Sequence, residues 1–382
     1  MRSVSTISDL MEGEQSGPSN PSNSPLYMWA YLLIGDLMIR EAMLYEKLDD
    51  KKVHCKVCAQ SCTISQGKRG FCRVRENRDG TLYTLNYNVV SSEALDPIEK
   101  KPLFHFYPGS AVYSLGSIGC NFRCRHCQNW TISQVEIDTS RSVEMSPETA
   151  VSRALQYRAR SIAWTYNEPT IWYEYTYDCA RLAKEAGLAT IYVTNGYITP
   201  EALERISPYL DAFRVDFKAF NNEFYRKMAS ARLEPVLEAT KMAHGLGMHI
   251  EVVNLVIPTH NDEPRELRAM SRWIYENLGA DTPIHFTRFH PYYQLTDVPP
   301  TPLETLEMAY NIAKEEGLHY IYIGNVPGSG KESTFCPECK QLLIKRGVFD
   351  MEEYNITEDK ACPNCGKDIC IFNEDAGDTK TC

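Results

Sequence analysis

The chain has 382 residues, a hydrophobic fraction of 43% and a formal net charge of −10. That balance excludes a general binder of nucleic acid or anionic membranes, because phosphate contacts require clustered Lys and Arg. Eleven of the 14 cysteines fall in short-spaced groups. In a chain of this length without a secretory signal, such grouping points to metal ligands in a reducing, cytoplasmic setting rather than to disulfides.

In chain order, residues 1–37 read as a partly disordered leader, rich in Ser, Pro and Asn and running into the apolar stretch 27–39, with Met38 as an alternative start. The run contains Asp36 and falls short of the roughly 20 apolar residues a spanning helix needs, so no membrane segment is expected. Residues 38–110 form a cysteine-rich N-terminal segment with an alternating strand pattern at 81–87. Residues 111–333 alternate strand and helix patterns. Residues 334–382 hold a second cysteine module and an acidic tail. Within 111–333 the strand candidates are 112–117, 161–165, 190–194, 212–217, 249–257, 284–289 and 320–323. Helix patterns lie between them at 146–158, 170–186, 200–209, 233–246, 263–278 and 302–316. Gly187, Gly279 and Gly317 follow helical stretches, where C-terminal glycines belong. The expected fold class is α/β, a parallel sheet wholly or partly closed into a barrel.

The sharpest motif follows the first of these strands: GCNFRCRHCQNW at 119–130, with Cys120, Cys124 and Cys127 spaced C-x3-C-x2-C. Three thiolates ligate three irons of a cubane and leave the fourth open to an exogenous ligand. Zinc is the competing reading. The three-residue gap, and the absence of a nearby fourth ligand other than His126, weigh against it.

With this block the sequence resembles the radical S-adenosylmethionine (SAM) superfamily. It is most similar to the branch related to pyruvate formate-lyase activating enzymes, and within it to AmmeMemoRadiSam-system radical SAM enzymes. The resemblance runs from about residue 38 to about 366. It also rests on KRGFC (68–72), SSEALDPIEKKPLFHFYPG (91–109), TYNEPT (165–170), TNGY (194–197), DFKAFN (216–221) and YIGNVPG (322–328). It implies a partial (β/α)6 TIM-like barrel and a [4Fe–4S] cluster on the three cysteines. It further implies SAM as cofactor and a reduced donor of flavodoxin or ferredoxin type. Glu168 would accept a hydrogen bond from the SAM amine, although Tyr166 and Asn167 replace the usual Gly-Gly before it. Thr194 and Asn195 would meet the ribose or carboxylate, and Asp216 with Lys218 the carboxylate. Asn254 and Val256 would lie near the adenine and ribose. His290 and Gly324-Asn325-Val326 would form pocket wall. Taken from the residues alone, each has a plainer reading as a turn, a solvated pair or a helix start.

Two further groups remain. Cys55, Cys58, Cys62 and Cys72 fit either a structural zinc knuckle or a second iron–sulfur cluster. Cys336, Cys339, Cys362 and Cys365, in paired C-P-x-C knuckles, fit a zinc-ribbon or rubredoxin-like module with zinc as the expected metal. Cys179 fits a buried small hydrophobe. The expected activity is reductive cleavage of SAM and hydrogen abstraction from an unidentified substrate. Alternatives are glycyl-radical activation of a protein partner, radical modification of RNA or another macromolecule, and a non-catalytic multi-zinc binding protein.

Overall fold

Seven apolar segments, most of their residues buried as expected of a parallel sheet covered on both faces, pair in strict chain order. The structure is a computed structural model and describes residues 38–373 apart from 138, 139 and 141. The expected leader, with most of its apolar run, and the acidic tail lie outside the described residues. From Met38 onward the chain forms one compact unit.

The strands are β1 (Ser92–Pro97), β2 (Ala111–Gly116), β3 (Ser161–Trp164), β4 (Ala189–Thr194), β5 (Ala212–Asp216), β6 (His249–Val256), β7 (Ile284–Arg288) and β8 (Ile321–Gly324). β2 to β8 are parallel, and β1 runs antiparallel along the free side of β2 with Ser92 opposite Gly116. The principal crossover helices are α1 (Pro147–Gln156), α2 (Tyr173–Glu185), α3 (Pro200–Ile206), α4 (Glu234–Gly245), α5 (Pro264–Leu278) and α6 (Leu303–Glu315). This is the expected partial (β/α)6 barrel, with β8 as the final parallel strand. Among the described residues its edges, β1 and β8, do not pair with each other. The sequence carries little sign of β1, because Glu93, Asp96 and Pro97 break its apolar pattern.

Local chemistry sets the helix starts. Ser146 and Thr199 accept the N–H of Thr149 and Ala202, each just ahead of a proline at the first helical position. Cys179 is fully buried on α2, as a small hydrophobe would be.

Two small antiparallel sheets precede the barrel. One joins Arg40–Glu41, Thr81–Thr84 and Arg75–Arg78, and the other joins Tyr45–Lys47, Val53–Cys55 and Thr63–Ile64. A fully buried bidentate pair, Arg75 Nη1 and Nη2 to the two Glu174 carboxylate oxygens at 3.0 and 2.7 Å, ties the first of these to α2. The C-terminal module is a three-stranded sheet of Thr334–Phe335, Leu342–Arg346 and Met351–Tyr354.

A second buried polar network joins this module to the barrel. Glu251 on β6 accepts backbone N–H groups of Phe104 and His105 at 3.0 and 2.7 Å, and His249 and His285 Nε2 at 3.0 and 2.7 Å. An ionised carboxylate only accepts, so both imidazoles donate. Burial alone would raise the Glu251 carboxyl, but the two histidines outweigh it and hold it well below the usual carboxylate range. His105 is pushed down to about 4 by burial and is neutral. Its Nδ1 donates to Cys370 O and its Nε2 accepts from Tyr322 Oη, each at 2.6 Å. Arg346 of the C-terminal sheet donates to Phe104 O at 2.6 Å. Among the described residues no helix is long and apolar enough to cross a membrane.

Glu251→Gln is expected to cost about 3 kcal/mol in urea unfolding at pH 7, because it leaves buried donors poorly matched. The native pKa is depressed, so this stability is complete above the unfolded value near 4.3 and lost as pH falls below it. The difference between wild type and variant should therefore shrink below about pH 4.

Candidate functional site

The carboxyl ends of the parallel strands surround a cavity of 440 Å³, within the roughly 300–1,000 Å³ usual for ligand sites. Such ends are where a parallel barrel places its functional loops. Cys120, Cys124 and Cys127 line the cavity from the loop after β2. Gly119 starts this loop at φ +93°, and a Cβ there would come within 2.8 Å of Cys72 O, so only glycine fits. The Cys120 sulfur accepts the Phe122 N–H at 3.4 Å, and Asn195 Nδ2 approaches it at 3.9 Å. Burial pushes all three thiols up, Cys124 to about 12. As ligands they therefore need a cationic centre to offset the charge they take on.

Glu168 enters from the turn after β3, fully buried beside Cys120. Its Oε1 accepts Thr170 N at 3.0 Å and Thr194 Oγ1 at 2.7 Å, and its Oε2 accepts Asn195 N at 2.8 Å. A carboxylate has about four acceptor sites, so one on Oε2 is left for the cavity. The same side chain caps the helical turn Pro169–Trp172, which fixes its direction.

At the end of β5, Asp216 accepts Arg214 Nη1 at 2.5 Å and Lys218 Nζ at 2.8 Å. Burial pushes the Asp216 carboxyl up, but the two cations outweigh it and hold it below its ordinary range. Two cations against one carboxylate leave a net positive charge facing the cavity. Arg214 also carries a signal in the sequence: it alternates with Asp216 along β5, so the two share a face, and Lys218 keeps that parity two residues past the strand's end.

The cavity thus brings together Cys120, Cys124, Cys127, Glu168, Thr194, Asn195, Asp216 and Lys218, with Gly324, Asn325 and Val326 as wall. It does not bring in Asn254, Val256 or His290. Asp216 registers beside Val253, and Leu255 beside Thr287, so Val253 and Leu255 face inward. Asn254 and Val256 alternate to the other face, where Asn254 donates to Phe217 O at 2.7 Å. His290 is exposed beyond the end of β7. Apolar periodicity in a doubly buried strand does not reveal which parity is inward.

Sequence reading also missed Tyr166, His285 and Tyr322, all on the wall. Tyr166 donates to Asp96 at 2.7 Å from a left-handed backbone, φ +70°. His126 lines the cavity too. Burial pushes it down to about 3, and its Nδ1 has no hydrogen-bond partner.

The other cysteine groups differ in spacing. Cys336 lies 3.6 Å from Cys365 and Cys339 lies 3.6 Å from Cys362, and all four sulfurs fall within 4.8 Å of one another. A tetrahedral ion with metal–sulfur bonds of about 2.3 Å requires sulfurs about 3.8 Å apart, so this group could hold a single metal ion. Among the described residues this is the one set of three or more Cys, His, Asp or Glu side chains gathered as a single-ion site.

The family model described as Radical SAM superfamily matches residues 115–270. An uncharacterized protein of Methanocaldococcus jannaschii, MJ0808, is 52% identical over 334 residues, covering 87% of this chain and 99% of its own. A domain of the pyruvate-formate lyase-activating enzyme from Bacteroides vulgatus is similar in structure at 13% identity and TM-score 0.39, over 43% of this chain and 99% of that one. A radical SAM methyltransferase from Sphaerobacter thermophilus is similar at 14% identity and TM-score 0.44, over 57% and 67%.

Gly119→Ala is expected to destabilise the protein by about 1–3 kcal/mol, read as a lowered urea midpoint, because it adds a left-handed strain to a clash with Cys72 O. Gly187→Ala, also at positive φ but in open space, isolates the strain alone and should cost less.

Proposed function

The chain belongs to the radical SAM superfamily, and from that premise we propose that it cleaves SAM reductively and abstracts hydrogen from a substrate held in the 440 Å³ cavity. The observation that carries this is the meeting of three buried thiols with the Glu168 carboxylate in one cavity at the strand ends. The residues fit the implied groups. Cys120, Cys124 and Cys127 line this cavity together and would supply three of the four ligands of a [4Fe–4S] cluster, leaving its fourth iron open. When bound, the cluster and SAM supply one-electron cleavage of a sulfonium S–C bond and, from it, a carbon radical able to remove hydrogen.

The chain's own residues bind and orient. Glu168 Oε2 has the acceptor site an ammonium group needs beside Cys120. The Arg214–Asp216–Lys218 cluster supplies net positive charge for a carboxylate, and Lys218 is close enough to Cys124 to offset part of the upward push that burial gives its thiol. Thr194 holds Glu168, and Asn195 Nδ2 bonds Asn121 Oδ1 at 2.8 Å, locking the loop that carries the triad. Val193, Val253, Leu255 and Phe104 form an apolar wall that keeps water from a reactive centre. The two knuckles with 3.6 Å sulfur pairs support a structural zinc at Cys336, Cys339, Cys362 and Cys365. The motifs at 68–72, 91–109 and 322–328 support the AmmeMemoRadiSam-system branch.

Protein reconstituted anaerobically and given SAM and dithionite should release 5′-deoxyadenosine, and changing Cys120, Cys124 and Cys127 together to Ala should abolish it. Absence of product from the intact, iron-loaded chain would refute the proposal. Glu168→Gln should weaken SAM binding about tenfold or more, the size of a charge-assisted hydrogen bond, in equilibrium titration. Zinc analysis should give about one ion per chain, lost in Cys339→Ala.

A further inference from the structure

Arg214 and Asp216 share the cavity face of β5, with Lys218 just past the strand's end. At about 3.3 Å per residue, Arg214 stands roughly 7 Å deeper in the barrel than Asp216. Val193 and Glu251 flank it in register. Lys101, Phe104, His285 and Tyr322 line the same cavity. The Phe104 ring meets His285 and Tyr322 edge-on, with centroids 4.7 and 4.8 Å apart, and these rings close the floor.

The floor carries a cation with a spare donor. Arg214 is 7% exposed. Its Nη1 donates to Asp216, and its Nε has no hydrogen-bond partner. Glu251 beside it does not serve, because two backbone N–H groups and two imidazoles fill its acceptor sites. Lys101 is 5% exposed and shares Asp96 with Lys100 and Tyr166. Burial pushes Lys101 down to about 8 against the pull of Asp96, and the charges of Lys100 and Arg214 add to the fall.

Four cations, Lys100, Lys101, Arg214 and Lys218, thus stand against two carboxylates, Asp96 and Asp216. The other acids of the wall are engaged elsewhere. Glu168 is held by Thr170, Thr194 and Asn195. Glu99 accepts Gly109 N–H at 2.8 Å and faces Arg346 Nε at 3.7 Å. Burial pushes Glu332 up to about 7, which takes away much of its charge. Lys218, beside Cys124, is placed for the single carboxylate of SAM. Arg214 and Lys101 remain, and buried cations with an unused donor call for a further anion.

We propose that the floor of the cavity is a substrate subsite for a carboxylate or phosphate group of a small molecule, held between Arg214 and Lys101. The guanidinium offers Nε to one oxygen of the anion, and the ammonium of Lys101 faces another. The anion end of the substrate then lies deep in the barrel and its reacting end points up toward the strand ends, where the thiols stand. The subsite stands on its own geometry, while its assignment to a substrate rests on the function proposed above.

The test uses the full chain, reconstituted anaerobically with iron and sulfide, and calorimetric titration with inorganic phosphate and with succinate. Wild type should bind at least one of the two, equally well with and without saturating SAM, and the preferred probe names the anion. Binding of neither probe overturns the subsite, and so does binding that SAM abolishes, since the anion then sits at the place of SAM's own carboxylate. Lys101→Met and Arg214→Gln should each weaken the probe about tenfold or more, the size of a charge-assisted hydrogen bond. Unchanged affinity in either folded variant overturns the proposal. Should both variants fail to fold, wild type decides alone: the bound probe should slow reductive methylation of Lys101, read by mass spectrometry, and no slowing overturns the subsite. Failure of the SAM reading shows separately, as wild type that binds the probe but not SAM.

Discussion

The Glu251 carboxylate is the interaction on which the assembly turns. A buried charge is tolerated only where donors surround it, and this one collects two backbone N–H groups and two imidazoles. Those donors come from three places: the segment after β1, the strand β6 itself, and β7. The carboxylate therefore fixes residues 104 and 105 against the inside of the sheet. Through His105, Tyr322 and Thr334 the same network reaches the C-terminal module. The cavity wall inherits its order from this network, because Phe104, His285 and Tyr322 belong to both.

The second constraint is topological. Six crossovers in chain order bring every strand end to one face, so residues separated by as many as about 200 positions converge there. The cysteine loop after β2, Glu168 after β3, Asn195 after β4 and Lys218 after β5 are neighbours for that reason alone. Nothing about them individually distinguishes a ligand from a turn residue. Their shared position does.

This explains which features were legible. The seven parallel strands and six helices were readable because long apolar or amphipathic periods, closed by Gly187, Gly279 and Gly317, leave few alternatives. The triad was readable because thiol spacing carries chemistry directly. Asn254 and Val256 were misplaced for a definite reason: β6 is apolar on both sides, so only its register with β5 and β7 tells which alternate residues look inward. Glu251 was hard to see, since only His249 lies near it in sequence, and the fold must supply His285 from 34 positions away and the backbone of residues 104 and 105. β1 was hidden by Asp96 and Pro97, yet Asp96 is buried because Lys100, Lys101 and Tyr166 close around it.

The C-terminal module does more than decorate the barrel's edge. Gly109, at φ +76°, lies so close to Met351 that a Cβ would come within 2.5 Å of its methyl group, and Val348 and Phe349 complete the cavity rim. The cavity is thus lined by two parts of the chain that finish synthesis at different times. A nascent chain that has emerged only through β8 would own its thiols and its carboxylate but lack part of the chamber's wall. Completion of the wall waits on Val348 and Phe349, so the enclosure forms after the thiols and the carboxylate that it surrounds.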